Sequence, residues 1–584
     1  MTVALVLAGE ADAGLCGQLA ALGVRRVDVA GPTGPGLLTV AAAARTAGER
    51  VLICIGTDTV PEPVLARLLD VGGTAAFTGV TPRSASTLLQ PRIAPAALVV
   101  DPRDLDALAE AAETLAVTQA GPGPFAPFNP VAPAGALIGE LGRHGVTVRI
   151  LDAGPDSEGA VAQLVADPAA RDMARWAAWR RLTPGALYGI SLGLGLVAAV
   201  WFADLAVHAK LLAIAALAGS FLFARTGSLL AATSREGRIR PLTGWLGTAC
   251  GLLTEVGIYA ALAVSARLGP ATGLDGTFGH VLQDTWVATW GGAGTVGVWR
   301  LAIAALLLLG VRKMALLGYE HTAGAPGDLF PRSVLRTVEQ ALTFPAGERY
   351  AVIAATSVFF GPRLTFLILL GWGGLAAGYL RAGQVARSLR APAAARPEDG
   401  VLAAYRGDGA LSGWIGALVD GRLPPLPPLL VGLLVTGVLT ALGLGNLPGI
   451  LVLTPVEAMM LAALGSTHPH DGRLDWLAPA LLLTGEGVFL AALGLARGVT
   501  PWLVFALLAA VVVRHVDLAC RARAGLGIPA DVYGLGWDGR MLLAGAAAAA
   551  GFVPFAYAAL SGYLWLLFIW DFLSDWLAPA DRGP

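Results

Sequence analysis

Two glutamates stand near the middle of apolar segments that are long enough to cross a membrane. Glu457 lies in the predicted span 449–464, and Glu486 lies in the predicted span 477–495. An ionised side chain is costly in hydrocarbon, so these carboxylates mark a candidate polar site inside the membrane, with each other or with His515 as partners. The alternative is that two buried acids share a proton and bond to the backbone, which requires no function.

A second charged group lies near one end of the second and third predicted spans. Arg225, Arg235, Arg238, Arg240 and Glu255 could surround a cavity there. Guanidinium groups hold phosphate oxygens without a metal, so this cavity is a candidate site for an anionic lipid headgroup or a nucleotide. The alternative is that the arginines are only the basic flank of the membrane helices. Glu255 lies within a span, which predicts that it faces protein or water.

The residue types that bind transition metals are present but poorly spaced. His468, His470 and Asp471 resemble a ligand cluster, but Pro469 interrupts the loop, so a tight metal site is not expected. The 4 cysteines are scattered and show neither a disulfide framework nor zinc-ligand spacing. We therefore predict no metal and no cofactor.

The amino-acid composition and the apolar runs predict the secondary-structure elements that position these residues. Hydrophobic residues make up 55% of the chain and charged residues 14%, which is typical of a membrane protein, and the net charge of −1 argues against nucleic acid as a partner. The apolar runs predict an all-α polytopic region of about 11–12 transmembrane helices. The predicted spans are 183–203, 209–231, 242–262, 294–316, 350–360 with some preceding residues, 364–380, 429–444, 449–464, 477–495, 502–513, 541–557 and 560–577.

The remainder of the chain divides into four further parts. Residues 1–155 alternate short apolar runs with helical patterns, which predicts a soluble α/β domain with a mainly parallel sheet. Residues 156–182 form a junction with an interfacial helix, 183–390 a six-helix bundle, 391–428 a Pro-rich connector, and 429–584 an appended membrane domain. Arginine-rich loops alternate with loops poor in positive charge, which predicts a multi-pass protein of the cytoplasmic (inner) membrane with both termini in the cytoplasm.

A pattern of small residues in the second and third spans resembles a known signature. Residues 224–232 and 247–251 are similar to the motif of the CDP-alcohol phosphatidyltransferases, Asp-x-x-Asp-Gly-x-x-Ala-Arg followed by Asp-x-x-x-Asp. The four aspartate positions hold Ala224, Gly227, Gly247 and Gly251. In active members, carboxylates hold a divalent metal against the pyrophosphate while the phosphoalcohol is transferred to an acceptor hydroxyl. The resemblance therefore implies the family fold without its catalytic residues.

The resemblance extends to a larger arrangement. Residues 345–351 are similar to a segment of fused actinobacterial family members, and residues 514–517 and 536–540 are similar to their appended membrane domain of unknown function. Residues 3–9 and 51–58 look like two strands of a nucleotidyltransferase. The loop that follows the first strand is acidic, however, whereas a phosphate-binding loop is basic or neutral. The head is therefore predicted to be a degenerate nucleotidyltransferase.

These observations lead to one functional prediction and two alternatives. The leading hypothesis is a catalytically inactive scaffold, or a lipid-headgroup or nucleotide-binding partner, in envelope phospholipid metabolism. The first alternative is an active CDP-alcohol phosphotransferase that uses residues outside the signature. The second is a transporter or lipid-handling protein built on the C-terminal bundle. The predicted partners are the lipid bilayer and a second copy of the chain, packed through Gly185, Gly189 and Gly193 of the first bundle.

Overall fold

The structure, a computed structural model, describes most of the membrane region and part of the N-terminal region. The described residues are 2–7, 19, 24, 26–30, 42–55, 74–80, 93–110, 141, 149–152, 159–180, 182–233, 242–266, 295–323, 343–390, 401–442, 449–470, 472–523 and 533–577. The chain folds as two compact units. One comprises Met1–Asp156, Arg171–Pro184 and Ser228–Ile239, and the other comprises Ser157–Ala170, Gly185–Gly227 and Arg240–Pro584.

The N-terminal region contains a six-stranded sheet. Its strands are β1 Thr2–Leu7, β2 Arg26–Ala30, β3 Arg50–Ile55, β4 Ala75–Val80, β5 Ile93–Val100 and β6 Arg149–Asp152, in the order β2-β1-β3-β5-β4-β6. Among the described strands, the pairings β1–β2, β1–β3 and β4–β6 are parallel, and β5 runs antiparallel to both β3 and β4. The helices predicted to cover both faces lie mostly outside the described residues.

The described helices of the first bundle follow the apolar runs of the sequence. They are α1 Asp167–Trp179, α2 Pro184–Phe202, α3 Val207–Thr233, α4 Leu242–Ser265, α5 Thr295–Ala323, α6 Ala346–Phe359 and α7 Pro362–Arg390. Helices α2 to α5 are apolar around most of their circumference, as expected when one side faces other helices and the other faces lipid, whereas α1 carries four charged residues.

The C-terminal region contains eight more α-helices. They are α8 Val401–Tyr405, α9 Ala410–Val419, α10 Leu426–Ala441, α11 Thr454–Met459, α12 Ala478–Ala496, α13 Pro501–Arg523, α14 Gly536–Ala550 and α15 Val553–Leu577. Two 3₁₀ segments, Gly449–Leu453 and Met460–Gly465, flank α11. The predicted connector therefore contains two helices, and its Pro-rich end opens α10, where a proline in the first turn costs no backbone hydrogen bond.

Eight of the described helices are long and apolar enough to cross a membrane, which makes this a multi-pass membrane protein. They are α2, α3, α4, α5, α7, α12, α13 and α15. Other predicted spans fall on shorter elements in the described part of the chain, where α6 and α10 are 14 and 16 residues long. The run 449–464 breaks into three short segments around Pro455, and α14 ends at Gly551, which adopts a left-handed conformation.

Helix α13 is the most enclosed of the membrane helices. Its most apolar stretch is 89% buried, compared with 33% for α2. It packs against α4 and α5 of the first bundle and against α12 and α15 of the C-terminal region. Polar residues on α13 therefore face other helices rather than lipid, and this helix carries most of the buried charge described below.

Candidate functional site

An aromatic ring fills the space beside the aspartate-free motif. Tyr188 of α2 is almost fully buried between α3 and α4. A Cβ atom added at Gly227 would lie 2.9 Å from Tyr188 Cε1, and one added at Gly247 would lie 2.8 Å from Tyr188 Cζ. Any side chain at these two positions would displace the ring. A Cβ at Gly251 would meet nothing within 4 Å, so only part of the motif is closed in this way.

The arginine next to this motif is paired within the chain. Arg225 Nε donates to Asp167 Oδ1 of α1 over 2.7 Å, and both side chains are largely buried. A carboxylate of the protein thus lies where an anionic ligand of Arg225 would bind. The other predicted ligand-binding arginines, Arg235, Arg238 and Arg240, lie outside the described residues. Arg225 therefore pairs with an acid of the protein. The predicted cavity has no other arginine among the described residues.

A different arginine group surrounds Glu255, the last member of the predicted cavity. Arg349 of α6 donates to both carboxylate oxygens of Glu255, from Nη2 over 2.5 Å and from Nε over 3.2 Å. Arg349 Nη1 also donates to the Phe344 carbonyl oxygen over 3.0 Å, and Arg312 Nη2 donates to the same oxygen over 3.2 Å. Two guanidinium groups therefore converge on one carbonyl oxygen.

A third arginine joins this group from α7. Arg381 Nη2 donates to the Arg312 carbonyl oxygen over 2.9 Å, and its Nη1 bonds to Gln384. We call Arg312, Arg349, Arg381 and Glu255 the arginine cluster. Within the described part of the chain, Glu255 is the carboxylate that pairs with it, so the cluster holds an excess of two positive charges. All three arginines are only partly buried, and such a group can bind an anion.

The intramembrane polar site predicted in the C-terminal region forms around Glu486. Arg540 of α14 donates to Glu486 from Nε over 2.6 Å and from Nη2 over 3.0 Å. His515 Nε2 of α13 lies 2.9 Å from Glu486 Oε2, and all three side chains are at most 1% exposed. Glu457 is not part of this site, because it is exposed on α11 and contacts neither residue among those described. The break around Pro455 displaces it from the expected span.

The imidazole of His515 lies between the Arg540 guanidinium, which donates hydrogen bonds, and the Glu486 carboxylate, which accepts them. Its Nε2 is 3.1 Å from Arg540 Nη2 as well as 2.9 Å from the Glu486 carboxylate. One nitrogen either donates to the carboxylate or accepts from the guanidinium, according to whether it carries the proton. Its Nδ1 is buried with no hydrogen-bond partner among the described residues. The bidentate contact with Arg540 is the part of this site that holds helices together in either state.

A second pair of charges on α13 reaches the first bundle and the last helix. Asp517 accepts from Trp245 Nε1 of α4 over 2.6 Å and from Arg521 Nε over 3.0 Å. Arg514 donates to Asp571 of α15 over 2.8 Å. A small cavity beside Trp245 and Asp517, lined by α4, α13 and α15, has room for roughly one water molecule. We call Glu486, Arg514, Asp517, Arg521, Arg540, Asp571 and His515 the α13 network.

Two glycine-rich loops next to the α13 network interlock. Asp538 accepts from the backbone N–H groups of Gly409 over 2.9 Å and Ser412 over 2.7 Å, so it caps the N-terminus of α9. Trp537 Nε1 donates to Asp408 over 2.7 Å, and Asp408 pairs with the fully buried Arg406. A side chain at Gly409 would clash with the Asp538 carboxylate. This close approach explains why the loop carries glycine there.

The histidine loop is packed but shows no metal arrangement. Burial, together with the nearby Arg406 guanidinium, lowers the pKa of His470 from 6.5 to about 4. His470 Nε2 is buried without a hydrogen-bond partner among the described residues, and Asp471 lies outside them. Within the described ranges, no group of three His, Cys, Asp or Glu side chains could hold a metal ion.

Sequence reasoning missed the residues that complete each site. Arg312 lies inside the predicted span 294–316, which is the same signal that drew attention to Glu486, whereas Arg381 directly follows the predicted span 364–380. Tyr188 gave no signal, because a tyrosine near the end of a membrane span is ordinary. Arg540 and Trp245 could have been noticed only as polar side chains at the beginning of helices.

Comparison with known proteins gives a partial match. Residues 398–581 match the model of a family described as a family of unknown function (DUF5941). The match covers the interlocking loops, α12, α13 and α14, and therefore all of the α13 network except its contact with Trp245. No curated protein matches the sequence.

Proposed function

We propose that this membrane protein is a non-catalytic relative of the CDP-alcohol phosphatidyltransferases that binds an anionic group and acts as a scaffold in envelope phospholipid metabolism. The observation that carries the proposal is the position of Tyr188 between Gly227 and Gly247, where a Cβ atom added at either glycine would lie closer than 3.0 Å to its ring. Metal-dependent transfer needs carboxylates at this point. A tyrosine ring in that space supports the loss of transfer chemistry together with the loss of the acids.

The class of ligand follows from the arginine cluster. Its excess positive charge is stabilised by carbonyl oxygens of Thr343, Phe344 and Arg312 rather than by further carboxylates. Uncompensated charge inside a membrane bundle is costly, and an anion that bonds to two guanidinium groups would offset that cost. A phosphate group, carried by a lipid headgroup or a nucleotide, has the charge and the oxygen spacing that guanidinium groups recognise.

The orientation of the protein is part of the proposal. Basic residues follow α3 at positions 235, 238 and 240 and lie in the last turns of α7 and α13, and positively charged ends of membrane helices face the cytoplasm in inner-membrane proteins. The arginine cluster would then open toward the cytoplasm, where nucleotides and anionic lipid headgroups are present. The N-terminal region would also be cytoplasmic, as a degenerate nucleotidyltransferase-like head.

Release of CMP is the direct test of the catalytic part. The full-length protein in nanodiscs is incubated with labelled CDP-diacylglycerol, Mn²⁺ and small alcohol acceptors. We expect no CMP above the level of empty nanodiscs. Turnover that depends on Mn²⁺ would contradict the proposal and favour an active enzyme that uses residues outside the signature.

Binding of anions is the test of the second part. Melting of the protein in neutral detergent is followed with added phosphatidylglycerol, phosphatidylcholine, CMP or inorganic phosphate. We expect stabilisation by an anionic probe, a large loss of that effect in Arg312→Met, and no loss in Arg300→Met, an exposed arginine on the same helix. Equal responses of the two variants would contradict a site at the cluster. A proton or substrate flux in vesicles that Glu486→Gln abolishes would instead favour the transport alternative.

A further inference from the structure

The short helix α9 has an apolar face that no described part of the protein covers. Leu411, Trp414 and Leu418 lie on one side of this ten-residue helix, and Trp414 and Leu418 are 64% and 66% exposed. The opposite side is packed, because Ser412 and Gly416 are buried. The helix ends at Asp420, which is exposed and adopts a left-handed conformation. Helix α9 therefore packs one side against the protein and leaves an apolar side exposed.

The N-terminal end of α9 is held at the start of α14. Asp538, the third residue of α14, accepts the backbone N–H groups of Gly409 and Ser412. Arg540 on the first turns of α14 contacts both Glu486 and His515. Because Glu486 comes eight residues after the start of α12 at Ala478 and His515 eight before the end of α13 at Arg523, these ends lie at one membrane face.

The C-terminal end of α9 is held at the same face. Thr467 Oγ1 donates to the Gly416 carbonyl oxygen over 3.0 Å, from the segment that leads into α12. Ser466 Oγ donates to the Ser412 carbonyl oxygen over 2.9 Å. Arg473 of the same segment donates to the Leu389 carbonyl oxygen at the end of α7 over 2.9 Å. Both ends of α9 are therefore fixed where α7 and α13 end and where α12 and α14 begin.

We propose that α9 lies along the membrane surface with Leu411, Trp414 and Leu418 inserted into the headgroup layer of the bilayer. A helix of ten residues is about 15 Å long, which is half of the hydrocarbon thickness, and its two fixed ends prevent it from crossing. Leucine and tryptophan on one side of such a helix are the residues that enter the boundary between headgroups and acyl chains. This inference does not depend on the proposed function.

The bilayer fits this face better than a protein partner does. The chain continues from α9 within a few residues into α10, whose Leu430 and Leu434 are exposed as expected for a lipid-facing helix. Exposed Asp420 and Arg422 stand between the two helices, at a point where the chain would return to water. Exposed apolar side chains therefore continue from α9 into α10, as expected where a bilayer covers both helices. Residues 410–419 would then be attached to the membrane surface.

Depth-dependent quenching tests the position of α9. Trp414→Cys is labelled with an environment-sensitive fluorophore in full-length protein in which Cys16 and Cys54 are replaced by serine, whereas the buried Cys250 and Cys520 are kept. The protein is reconstituted with lipids that carry a nitroxide near the headgroup or near the end of the acyl chain. Leu566→Cys, at an exposed position near the middle of α15, serves as the deep reference and Arg422→Cys as the aqueous reference.

We expect the label at position 414 to be quenched at least about twofold more by the shallow nitroxide than by the deep one, and to be protected from iodide. Leu418→Cys should give the same profile, which guards against a local effect of losing Trp414. Quenching by iodide equal to that at position 422 would overturn the proposal in favour of a solvent-exposed helix. Protection from all three quenchers would overturn it in favour of a protein partner, and a profile like that at position 566 in favour of an embedded helix.

Discussion

The two groups of buried charge in this protein differ in how they are balanced. In the α13 network, Glu486, Asp517 and Asp571 face Arg514, Arg521 and Arg540, so acids and bases are equal in number. In the arginine cluster, one carboxylate among the described residues, Glu255, pairs with Arg349, whereas Arg312 and Arg381 bond to carbonyl oxygens. A network with equal numbers of acids and bases needs no additional counter-charge inside a membrane. Holding helices together is a sufficient role for it. An unbalanced one is stable only if something else supplies negative charge.

The hydrogen-bond partners follow the same division. Each carboxylate of the α13 network receives guanidinium or indole N–H donors from another helix or from the next turn. In the arginine cluster, Arg312 donates to carbonyl oxygens just before α6, Arg349 donates there as well as to Glu255, and Arg381 donates to the Arg312 carbonyl oxygen of α5. A carbonyl dipole stabilises a cation less than a carboxylate does, and it yields to an incoming phosphate at lower cost. The buried arginines of the first bundle are therefore the ones available for a ligand.

Loss of one partner from the balanced network should have the largest effect. Arg540→Met leaves the carboxylate of Glu486 buried with only His515 beside it, and we expect folding to be destabilised by about 3–5 kcal/mol. Thermal unfolding of purified protein in detergent measures the change. Arg422→Met removes an arginine that is 76% exposed and should leave stability within about 0.5 kcal/mol.

A double variant separates charge from packing at the same site. Glu486→Leu combined with Arg540→Met restores the balance without ions, so we expect more than half of the lost stability to return. If the double variant is less stable than Arg540→Met alone, charge balance is not what holds α12 to α14, and the contrast with the arginine cluster fails for this network.

Lowering the pH should destabilise the protein through His470, which lies near Arg406. The imidazole of His470 has a pKa of about 4, below its ordinary value of 6.5, because it is buried near Arg406. The unfolded chain therefore binds a proton below pH 6.5 that the folded protein refuses until about pH 4. Stability should fall as the pH is lowered through this window, by up to about 3 kcal/mol from this group. Melting measured from pH 7 to pH 4 gives the slope.

The variant His470→Asn isolates this contribution. Asparagine tolerates the left-handed backbone conformation that His470 adopts, so the loop should be retained. We expect a shallower loss of stability on acidification than in the unchanged protein, whereas His208→Asn, at an exposed position, should alter nothing. Identical slopes for the three proteins would show that His470 is free to take up a proton in the folded state.

Loss of the hydrogen bond between Trp245 of the first bundle and the α13 network should have an intermediate effect. Trp245→Phe keeps most of the ring but removes the N–H that lies 2.6 Å from Asp517. A hydrogen bond to a charged group contributes about 1.5–3 kcal/mol, and we expect a loss in this range. Trp570→Phe, at a residue that is 72% exposed on α15, is the matched control. A loss no greater than that of the control would mean that Arg521 alone satisfies Asp517.

How much of this arrangement the sequence could predict depends on the distance between partners along the chain. The apolar runs predicted α2 at 183–203 and α4 from residue 242, close to the observed Pro184–Phe202 and Leu242–Ser265. Hydropathy is a local property, so it locates helices. The pairing of Glu255 with Arg349 joins residues 94 positions apart and depends on how helices pack. For the same reason no sequence pattern could place the Tyr188 ring between two glycines of other helices.

We expect the smallest effect on stability from a substitution in the arginine cluster. This result would distinguish the arginine cluster most clearly from the α13 network. Arg381→Met removes an excess positive charge whose described partners are Gln384 and the Arg312 carbonyl oxygen, so no carboxylate is left unpaired. We expect stability to change by less than about 1 kcal/mol, far less than in Arg540→Met. The stabilisation by phosphatidylglycerol, CMP or inorganic phosphate should nevertheless fall at least about fivefold, because one of the three guanidinium groups is lost. Melting with and without the anion yields both quantities from one sample series. A large loss of stability with unchanged anion binding would reverse the assignment, because Arg381 would then hold helices together as the arginines of the α13 network do.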